Sequence, residues 1–150
     1  MSAIRVIAVG LPVREGRLLA LEGFEKATGQ RFLRAIGGGV EFGETAEQAV
    51  RREFVEELGL EPDEVELISV TENLFEYEGE PGHEIAFVFA ARGRALDEVP
   101  FDAELFVLDE GSPIRWYDIS DINPIDLPLY PNGAPAALDV AAAFGKAVAR

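Results

Sequence analysis

The chain has 150 residues, with 13 Lys or Arg against 28 Asp or Glu, so its formal net charge is −15. This balance disfavours a nucleic-acid partner and docking on a membrane surface, because both require a basic face. The absence of cysteine excludes disulfides and thiol nucleophiles, and the single histidine, His83, excludes metal motifs that need two. The length predicts one domain over residues 1–150, and no apolar run is long enough to cross a bilayer, so we expect a cytoplasmic protein.

Runs of apolar and β-branched residues predict several strands. The first is Ile4–Leu11, and Val13–Leu21 is predicted to form a hairpin that turns at Glu15-Gly16. The other predicted strands are Arg31–Ile36, Val65–Asn73, Ile85–Ala91, Leu105–Leu108 and Ile114–Tyr117. Residues 94–104 and 118–135 are rich in Pro, Asp and Gly and are predicted to be irregular.

The segment from Thr45 to Leu58 is predicted to be a helix. Thr45 and Gln48 have the spacing of a capping box, and Gly59 suits the left-handed residue that follows a last helical turn. Apolar residues recur along this segment at four-residue steps: Ala46, Val50, Phe54 and Leu58. This periodicity is typical of a helix with one face against the core.

A second helix is predicted over Ala134–Ala149. The apolar residues expected on its buried face are Ala137, Val140, Ala141, Phe144 and Val148. Strands that surround two helices indicate an α/β or mixed α+β fold, in which the helices cover a mixed β-sheet.

Three carboxylates, those of Glu53, Glu56 and Glu57, lie near the end of the first predicted helix. At about 100° per residue they project over an arc of roughly 100°, beside the apolar stripe. Negative charge is unfavourable at a helix C-terminus and between acids three or four residues apart, so the cluster indicates a compensating cation. Oxygen-only ligands favour Mg²⁺ or Mn²⁺. The alternative is a solvated acidic face, which is common in a chain with 28 acidic residues.

The residues around this helix follow a longer pattern. Its fixed positions, separated by five, seven, one and one residues, are Gly38, Glu44, Arg52-Glu53-Phe54, Glu56-Glu57 and Gly59-Leu60. This segment, residues 38–60, resembles the Nudix box, the signature of the Nudix (MutT-type) hydrolases. Phe54 stands where an aliphatic residue is usual, and Ile36 stands where many members have proline. Neither position is a proposed ligand.

The resemblance implies a fold and a set of roles. The expected fold is an α/β/α sandwich, a mixed sheet flanked by helices, with the metal site on a loop–helix–loop segment. Glu53 and Glu57 are the expected metal ligands, and Glu56 is either a ligand or the base that activates water. In the family the carbonyl at the Gly38 position often ligates the cation, and glycines there are expected to let the backbone turn tightly.

Further roles follow from the same resemblance. Arg52 resembles the family arginine that pairs with a carboxylate and orients the cluster, and Glu44 is its expected partner. The alternative is an ordinary surface pair between Arg52 and Glu56. Outside the box, Glu84 is a candidate base or ligand, because several Nudix enzymes supply such a carboxylate; its alternative role is an acid at a strand edge. His83 is expected to make a structural hydrogen bond or to lie at the surface.

The implied reaction is attack of water on a phosphorus atom of a nucleoside diphosphate linked to another group. Arg34, just before the glycines, is a candidate for contact with a phosphate, or else an exposed strand residue. Phe75, Tyr77 and Tyr130, in turn-rich segments, are candidates for stacking on a base, or else pack in the core or in loops. The position of Tyr77 after the box resembles that in the diadenosine-polyphosphate hydrolase group.

Several functions are disfavoured and others stay open. The catalytic cysteine of the isopentenyl-diphosphate isomerase relatives and the downstream motif of the NADH diphosphatases are missing, and the charge of −15 disfavours RNA decapping. The remaining substrates are ADP-ribose and related nucleotide sugars, dinucleoside polyphosphates and nucleoside triphosphates. The alternatives are a Nudix-fold module that binds nucleotides without hydrolysing them, and an acidic protein-interaction domain. Homodimers are frequent in the family, so a homodimer is one expected assembly.

Overall fold

The computed structural model describes residues 2–108 and 110–146, which form nine strands, two long helices and one short helix. The strands are β1 (Ile4–Arg14), β2 (Arg17–Glu25), β3 (Gln30–Arg34), β4 (Ile36–Gly39), β5 (Glu64–Tyr77), β6 (Glu80–Arg92), β7 (Leu105–Phe106), β8 (Pro113–Asp118) and β9 (Leu129–Tyr130). The helices are α1 (Ala46–Leu58), α2 (Arg94–Asp97) and α3 (Ala134–Lys146), with a 3₁₀ turn at Ile119–Asp121. Among the described residues, no helix is long and apolar enough to span a membrane.

Strand β1 is the centre of the sheet because it pairs with three neighbours. Its first part runs parallel to β6 and antiparallel to β4, and its last residues pair antiparallel with β2. The strand order is β5-β6-β1-β2-β3-β9, with β4 paired to β1, and with β8 paired to both β2 and β7. Parallel and antiparallel pairs in one sheet, with helices packed on it, confirm the predicted mixed α/β fold.

The two long helices pack on opposite faces of β1. Val9 belongs to the apolar cluster that contains Ala141 of α3, whereas its neighbour Ala8 belongs to the cluster that contains Phe54 of α1. Successive side chains of a strand point to opposite faces, which explains this division. A Cβ on Gly10 would lie 2.6 Å from the Phe54 ring, so the glycine lets α1 approach the strand closely.

Two local predictions are confirmed. The β1–β2 hairpin turns at Glu15 and Gly16, whose φ angles are 48° and 74°, as a two-residue hairpin turn requires. Helix α1 begins after Thr45, whose hydroxyl accepts from the Gln48 backbone N–H at 3.1 Å, while the Thr45 N–H donates to the Gln48 side chain at 2.8 Å. The helix ends at Gly59, which is left-handed with φ 73°.

Several predicted boundaries are wrong for reasons of pairing. The segment Arg31–Ile36 is split between β3 and β4, because the chain leaves β2 and moves across to β1 after Arg34. Strands β5 and β6 are longer than predicted and form one hairpin, because residues 69–77 pair continuously with residues 80–88. The segment 94–104 contains α2, and the segment 118–135 contains the 3₁₀ turn and β9. Of the predicted strand 105–108, only the first two residues pair.

Helix α3 differs from the prediction at its buried face. Its buried residues are Ala134, Ala137, Leu138 and Ala141. Val140 was expected on this face but is 52 % exposed. Small residues face the sheet because the helix lies close to β1: a Cβ on Gly145 would be 2.5 Å from the Val13 carbonyl oxygen. The predicted end of the helix, with Val148, lies outside the described residues.

Candidate active site

Arg52 is the centre of a polar network that ties α1 to β4. Its Nε and Nη2 donate to the two carboxylate oxygens of Glu44 at 2.8 and 2.9 Å. Nη2 also donates to the carbonyl oxygen of Gly39 at 2.9 Å. The guanidinium, together with the backbone amide of Glu41, lowers the pKa of Glu44 to about 2. The predicted Arg52–Glu44 pair is therefore present, in the two-pronged geometry that arginine favours.

The remaining terminal nitrogen of Arg52 lies between two carboxylates of the box. Nη1 donates to Glu53 Oε1 at 3.0 Å and to Glu56 Oε2 at 3.1 Å. The Arg52–Glu56 pair, which was the alternative to the Arg52–Glu44 pair, is thus present together with it. Glu44 in the first place, then Glu56 and Glu53, raise the pKa of Arg52. The single positive charge of Arg52 therefore offsets part of the repulsion between the neighbouring carboxylates of α1.

Glu57 is outside this network and is buried. It is 9 % exposed, and its Oε2 has no hydrogen-bond partner among the described residues. Burial raises the pKa of Glu57, and the nearby charge of Glu53 raises it further, whereas Arg34 and the Gly37 backbone lower it. A buried carboxylate with one unpartnered oxygen, next to a second carboxylate, is an arrangement that a bound cation stabilises.

Strand β4 brings its glycines against the carboxylates of α1. A Cβ on Gly38 would lie 2.6 Å from Glu53 Oε1, so glycine leaves the room that this carboxylate occupies. Gly37 has φ 153°, and a Cβ there would lie 2.1 Å from the carbonyl oxygen of Ala8. The prediction of a tight turn is wrong, because residues 36–39 form an extended strand that pairs with β1. The glycines serve close packing of helix and strand instead.

The donors at this point are carboxylate and backbone oxygens, which Mg²⁺ and Mn²⁺ prefer. Across residues 2–108 and 110–146, however, no group of three acidic or histidine side chains is arranged so that it could hold a metal ion. Arg52 binds the exposed carboxylate of Glu56. The residues fit a cation through Glu53, Glu57 and the backbone of Gly38, given the unpartnered Glu57 oxygen and the space at Gly38.

Glu84 lies on β6, away from α1. It pairs in register with Asn73 of β5 and with Arg5 of β1. Burial raises the pKa of Glu84, while Asn73 and Arg5 lower it. His83 Nε2 lies 3.0 Å from Glu72 Oε2, the structural hydrogen bond expected for it. Arg5 was not among the predicted site residues. The one signal in the sequence that could have pointed to it is that this arginine interrupts an otherwise apolar strand.

Tyr77 and Tyr130 share one aromatic partner. The Phe32 ring packs edge-on against both, with centroid distances of 6.1 Å to Tyr77 and 5.7 Å to Tyr130. Both tyrosines remain partly exposed. Tyr77 ends β5 directly before a turn, and Tyr130 belongs to the two-residue strand β9, where it pairs with Arg34 between two turn segments. Phe32 was missed because its two partners are distant in sequence.

Phe75 has a different neighbour. It lies opposite Gly82 in the β5–β6 hairpin, and a Cβ on Gly82 would be 2.3 Å from its ring. Phe75 is thus also on a strand and not in a turn. The glycine lets the ring lie against the β6 backbone, and the side chain stays exposed.

The loop that follows Tyr130 is attached to β5. Thr71 Oγ1 and Asn73 Nδ2 donate to the carbonyl oxygen of Asn132 at 3.0 and 3.1 Å. Gly133 lies against Thr71, since a Cβ there would be 2.6 Å from the Thr71 side chain. These contacts hold Tyr130 near the strand that carries Tyr77. The sequence signal for this attachment is an asparagine within a predicted strand, where asparagine is disfavoured. In the structure this asparagine is buried.

Comparisons with known proteins identify the family of this chain. The NUDIX domain family model matches residues 2–139. The fold is similar to the crystal structure of the MutT NUDIX hydrolase from Burkholderia pseudomallei, with TM-score 0.63 and 27 % identity over 92 % of this chain and 98 % of that chain. The MutT protein from Bacillus halodurans gives TM-score 0.60 and 21 % identity over 92 % of this chain and 82 % of that chain, which shows the fold alone.

Two curated relatives are similar over shorter segments. The RNA pyrophosphohydrolase of Pseudoalteromonas atlantica is 50 % identical over 40 residues, 27 % of this chain and 23 % of that protein. The RNA pyrophosphohydrolase of Aeromonas hydrophila is 39 % identical over 64 residues, 43 % of this chain and 34 % of that protein. The chain thus spans about a quarter to a third of the length of the curated relatives it matches. The family match over nearly the whole chain and the geometry of residues 38–60 lead to one conclusion: this chain belongs to the NUDIX domain family.

Proposed function

We propose that this protein is a divalent-metal-dependent pyrophosphohydrolase that cleaves a diphosphate linkage in a nucleoside diphosphate compound, with water attacking phosphorus. The observation that carries the proposal is Glu57, a buried carboxylate beside Glu53 with one oxygen that has no partner in the described residues. Membership of the NUDIX family and the similarity to a MutT NUDIX hydrolase support it. We take residues 1–150 to act as one catalytic domain.

Glu53, Glu57 and the carbonyl oxygen of Gly38 are the groups proposed to hold Mg²⁺ or Mn²⁺. When bound, such a cation neutralises phosphate charge and lowers the pKa of water. Arg52 is proposed to position the carboxylates of α1, because its guanidinium binds Glu53 and Glu56 but does not bind Glu57.

Two carboxylates are candidates for the base that accepts a proton from water. Glu56 is exposed, and its carboxylate is paired to Arg52 at 3.1 Å. Glu84 is half-buried, and burial raises its pKa. A base works best when its pKa is close to the operating pH, which favours Glu84. If Glu84 is the base, Glu84→Gln lowers turnover and leaves the affinity for Mg²⁺ unchanged.

The proposed substrates are nucleotide sugars such as ADP-ribose, dinucleoside polyphosphates and nucleoside triphosphates. Tyr77 and Tyr130 are proposed to stack on a base, and Arg34, exposed and paired in register with Tyr130, to bind a phosphate. RNA is a second candidate, favoured by the names of the two curated relatives and disfavoured by the net charge of −15. A cytoplasmic location and a homodimer stay predictions from the sequence.

The test is a hydrolysis panel. Purified protein is incubated with Mg²⁺ or Mn²⁺ and with ADP-ribose, other nucleotide sugars, diadenosine polyphosphates, NADH, nucleoside triphosphates or a triphosphorylated RNA oligonucleotide. Products are separated by chromatography. Glu57→Gln is the inactivating variant, and Glu47→Gln is the matched control, because Glu47 is an exposed acid in the first turn of the same helix.

The proposal expects a nucleotide product from wild type and Glu47→Gln but not from Glu57→Gln, and that product names the substrate class. Unchanged turnover in Glu57→Gln contradicts the proposal. A module that binds nucleotides without hydrolysing them would instead give thermal stabilisation by nucleotides with no product.

A further inference from the structure

Arg5 differs from most arginines of this protein. Within residues 2–108 and 110–146, Arg5 and Arg34 are the two arginines whose side chains make no hydrogen bond, ion pair or ring contact. Carboxylates outnumber basic groups by 28 to 13 in the chain, so a guanidinium without a carboxylate partner is unexpected. Arg34 precedes β4 and lies near Glu57, whereas Arg5 lies near Gly39 at the other end of β4.

The guanidinium of Arg5 reaches the glycine strand of the candidate active site. Its Nη2 lies 3.4 Å from the point where a Cβ of Gly39 would be. The carbonyl of the same glycine accepts from Arg52. Arg5 also pairs in register with Glu84, yet the two side chains form no ion pair. Its donors therefore stay available to a ligand beside the box.

A cavity of about 340 Å³ opens at this point, and we call it the Arg5 cavity. Its lining includes Ala3, Arg5, Phe75, Gly82, His83 and Glu84. Gly82 and Glu84 are two residues apart on β6 and so share a face of the sheet. Phe75 is the cross-strand partner of Gly82, and Arg5 is that of Glu84. An aromatic ring and an unpaired guanidinium thus line one cavity.

The two ends of β4 therefore carry similar pairs of residues. At one end, Arg34 pairs in register with Tyr130. At the other end, Arg5 lines a cavity with Phe75. Glu53 packs against Gly38 between these ends. Arginine binds phosphate through directed N–H donors, and an aromatic ring offers a face to a nucleobase.

We infer that the Arg5 cavity binds one nucleoside phosphate end of a dinucleoside polyphosphate, with Arg5 on a phosphate and Phe75 against the base. This inference rests on the proposed function, and it narrows the substrate class to compounds with a nucleoside at both ends. The second nucleoside lies at Tyr130 and Arg34, and the phosphate chain runs along β4. The cavity volume is at the lower end of the range for ligand pockets, so it fits one nucleoside phosphate end and not the whole substrate.

The first experiment measures binding without metal. Diadenosine tetraphosphate, ATP, pyrophosphate and adenosine are titrated in EDTA into wild type, Arg5→Ala, Arg5→Lys, Phe75→Leu and the control Arg94→Ala. Arg94 is an apt control, because its side chain is 89 % exposed and its ion pair is with Glu98 on the surface. Thermal midpoints show that each variant is folded.

Wild type is expected to bind diadenosine tetraphosphate about tenfold more tightly than ATP, because the dinucleotide fills both ends. Arg5→Ala is expected to weaken binding of the dinucleotide and of pyrophosphate about tenfold, as for loss of a charged hydrogen bond. Arg5→Lys should recover part of this affinity. Phe75→Leu should weaken the dinucleotide and adenosine but leave pyrophosphate unchanged. Arg94→Ala should bind every ligand as wild type does.

A second experiment measures hydrolysis of the dinucleotide. Arg5→Ala is expected to raise KM about tenfold and to change kcat less than about threefold, a separation that loss of stability would not produce. If Arg5→Ala behaves like Arg94→Ala, or if wild type binds ATP and the dinucleotide equally, the inference is wrong. The proposed function would still stand if Glu57→Gln abolished turnover in the panel. Conversely, correct binding differences with no turnover on any substrate would retain the cavity and reject the hydrolase.

Discussion

Arg52 and Arg5 approach the same glycine of β4 and differ in every contact. Arg52 donates to the Gly39 carbonyl and to three carboxylates, those of Glu44, Glu53 and Glu56. The Arg5 guanidinium lies 3.4 Å from the point where a Cβ of Gly39 would be, and it makes no polar contact with the described residues. One guanidinium is used by the protein for its own charges, and the other is left to solvent or to a ligand.

This difference separates positioning from binding. The contacts of Arg52 fix side chains of α1 relative to β4, and they exist before any substrate arrives. Such a group acts through the residues it holds. A charged group without a partner gains most when an anion binds, because none of its interactions must be broken first. Substitutions can test this distinction between positioning and binding residues, and the largest effect is expected at the candidate metal ligand.

Glu57→Gln should give the largest loss of activity and no loss of stability. Removal of the charge that is proposed to hold the cation should lower kcat about a thousandfold. In the absence of metal the variant should be at least as stable as wild type, because it removes the penalty for burying a carboxylate without a partner. Turnover and chemical denaturation in EDTA measure the two effects. A large fall in stability would indicate that Glu57 is structural.

Gly38→Ala should reduce activity more than stability. The new Cβ would meet Glu53 Oε1 at 2.6 Å, and the end of this side chain can move aside. Moving a catalytic group by about 1 Å can cost a hundredfold in rate, so we expect a fall of about ten- to a hundredfold in kcat. The free energy of unfolding should change by less than about 1 kcal/mol. Wild-type kcat in this variant would show that the position of Glu53 is not critical.

Arg52→Lys tests whether the network needs arginine geometry or only a positive charge. Lysine keeps the charge but cannot bind both oxygens of Glu44 while it also contacts Gly39 and Glu53. We expect kcat to fall about tenfold or more, as for loss of a group that orients metal ligands. Arg51→Lys, on the same helix, is the matched control, since Arg51 contacts Glu47, Glu61 and Pro62 outside the site. Equal effects of the two variants would argue against a positioning role for Arg52.

A third arginine, Arg31, forms a partly exposed ion pair, which shows how much such a pair contributes to the stability of the protein. It donates to Glu22 at 2.9 Å, and Tyr117 donates to the same carboxylate at 2.8 Å. The Arg31 contact is the main cause that lowers the pKa of Glu22 below its usual 4.5. The stabilisation is therefore complete above the pKa of the unfolded state, near pH 4.5, and is lost as the pH falls through the lower folded pKa.

Glu22→Gln should accordingly lower stability near neutral pH by less than about 1 kcal/mol, because solvent screens the pair. The difference between wild type and variant should shrink as the pH falls below about 5. Thermal unfolding at several pH values measures it. A difference that stays constant over this range would mean that the ion pair contributes nothing to the stability.

Contacts between residues that are close in the sequence were predicted correctly, whereas contacts between distant residues were missed. The capping box of Thr45 and the carboxylates on one side of α1 were predicted, because helix geometry relates residues a few positions apart. The contact of Arg52 with Glu44 was expected from the resemblance to the family. Phe32, which gathers Tyr77 and Tyr130, was missed because the three residues come from strands whose packing no local pattern encodes.

The errors have the same origin. Gly38 and its neighbouring glycines were expected to let the backbone turn tightly, as the conformational freedom of glycine allows. They form a strand instead, because β1 offers a partner edge and α1 needs close approach to it. Val140 was expected to be buried from its apolar character, but the small residues of α3 allow closer packing and occupy that face.

The sequence by itself determined the family, the helix that carries the carboxylates and the residue types that suit a divalent cation. These properties depend on short-range spacing, which the chain encodes directly. The tertiary structure alone decided that Glu57 is buried, that Arg52 is saturated with partners and that the Arg5 side chain has none among the described residues. Burial and pairing depend on which distant strands meet, and β1 joins strands that precede α1 in the sequence to one that follows it.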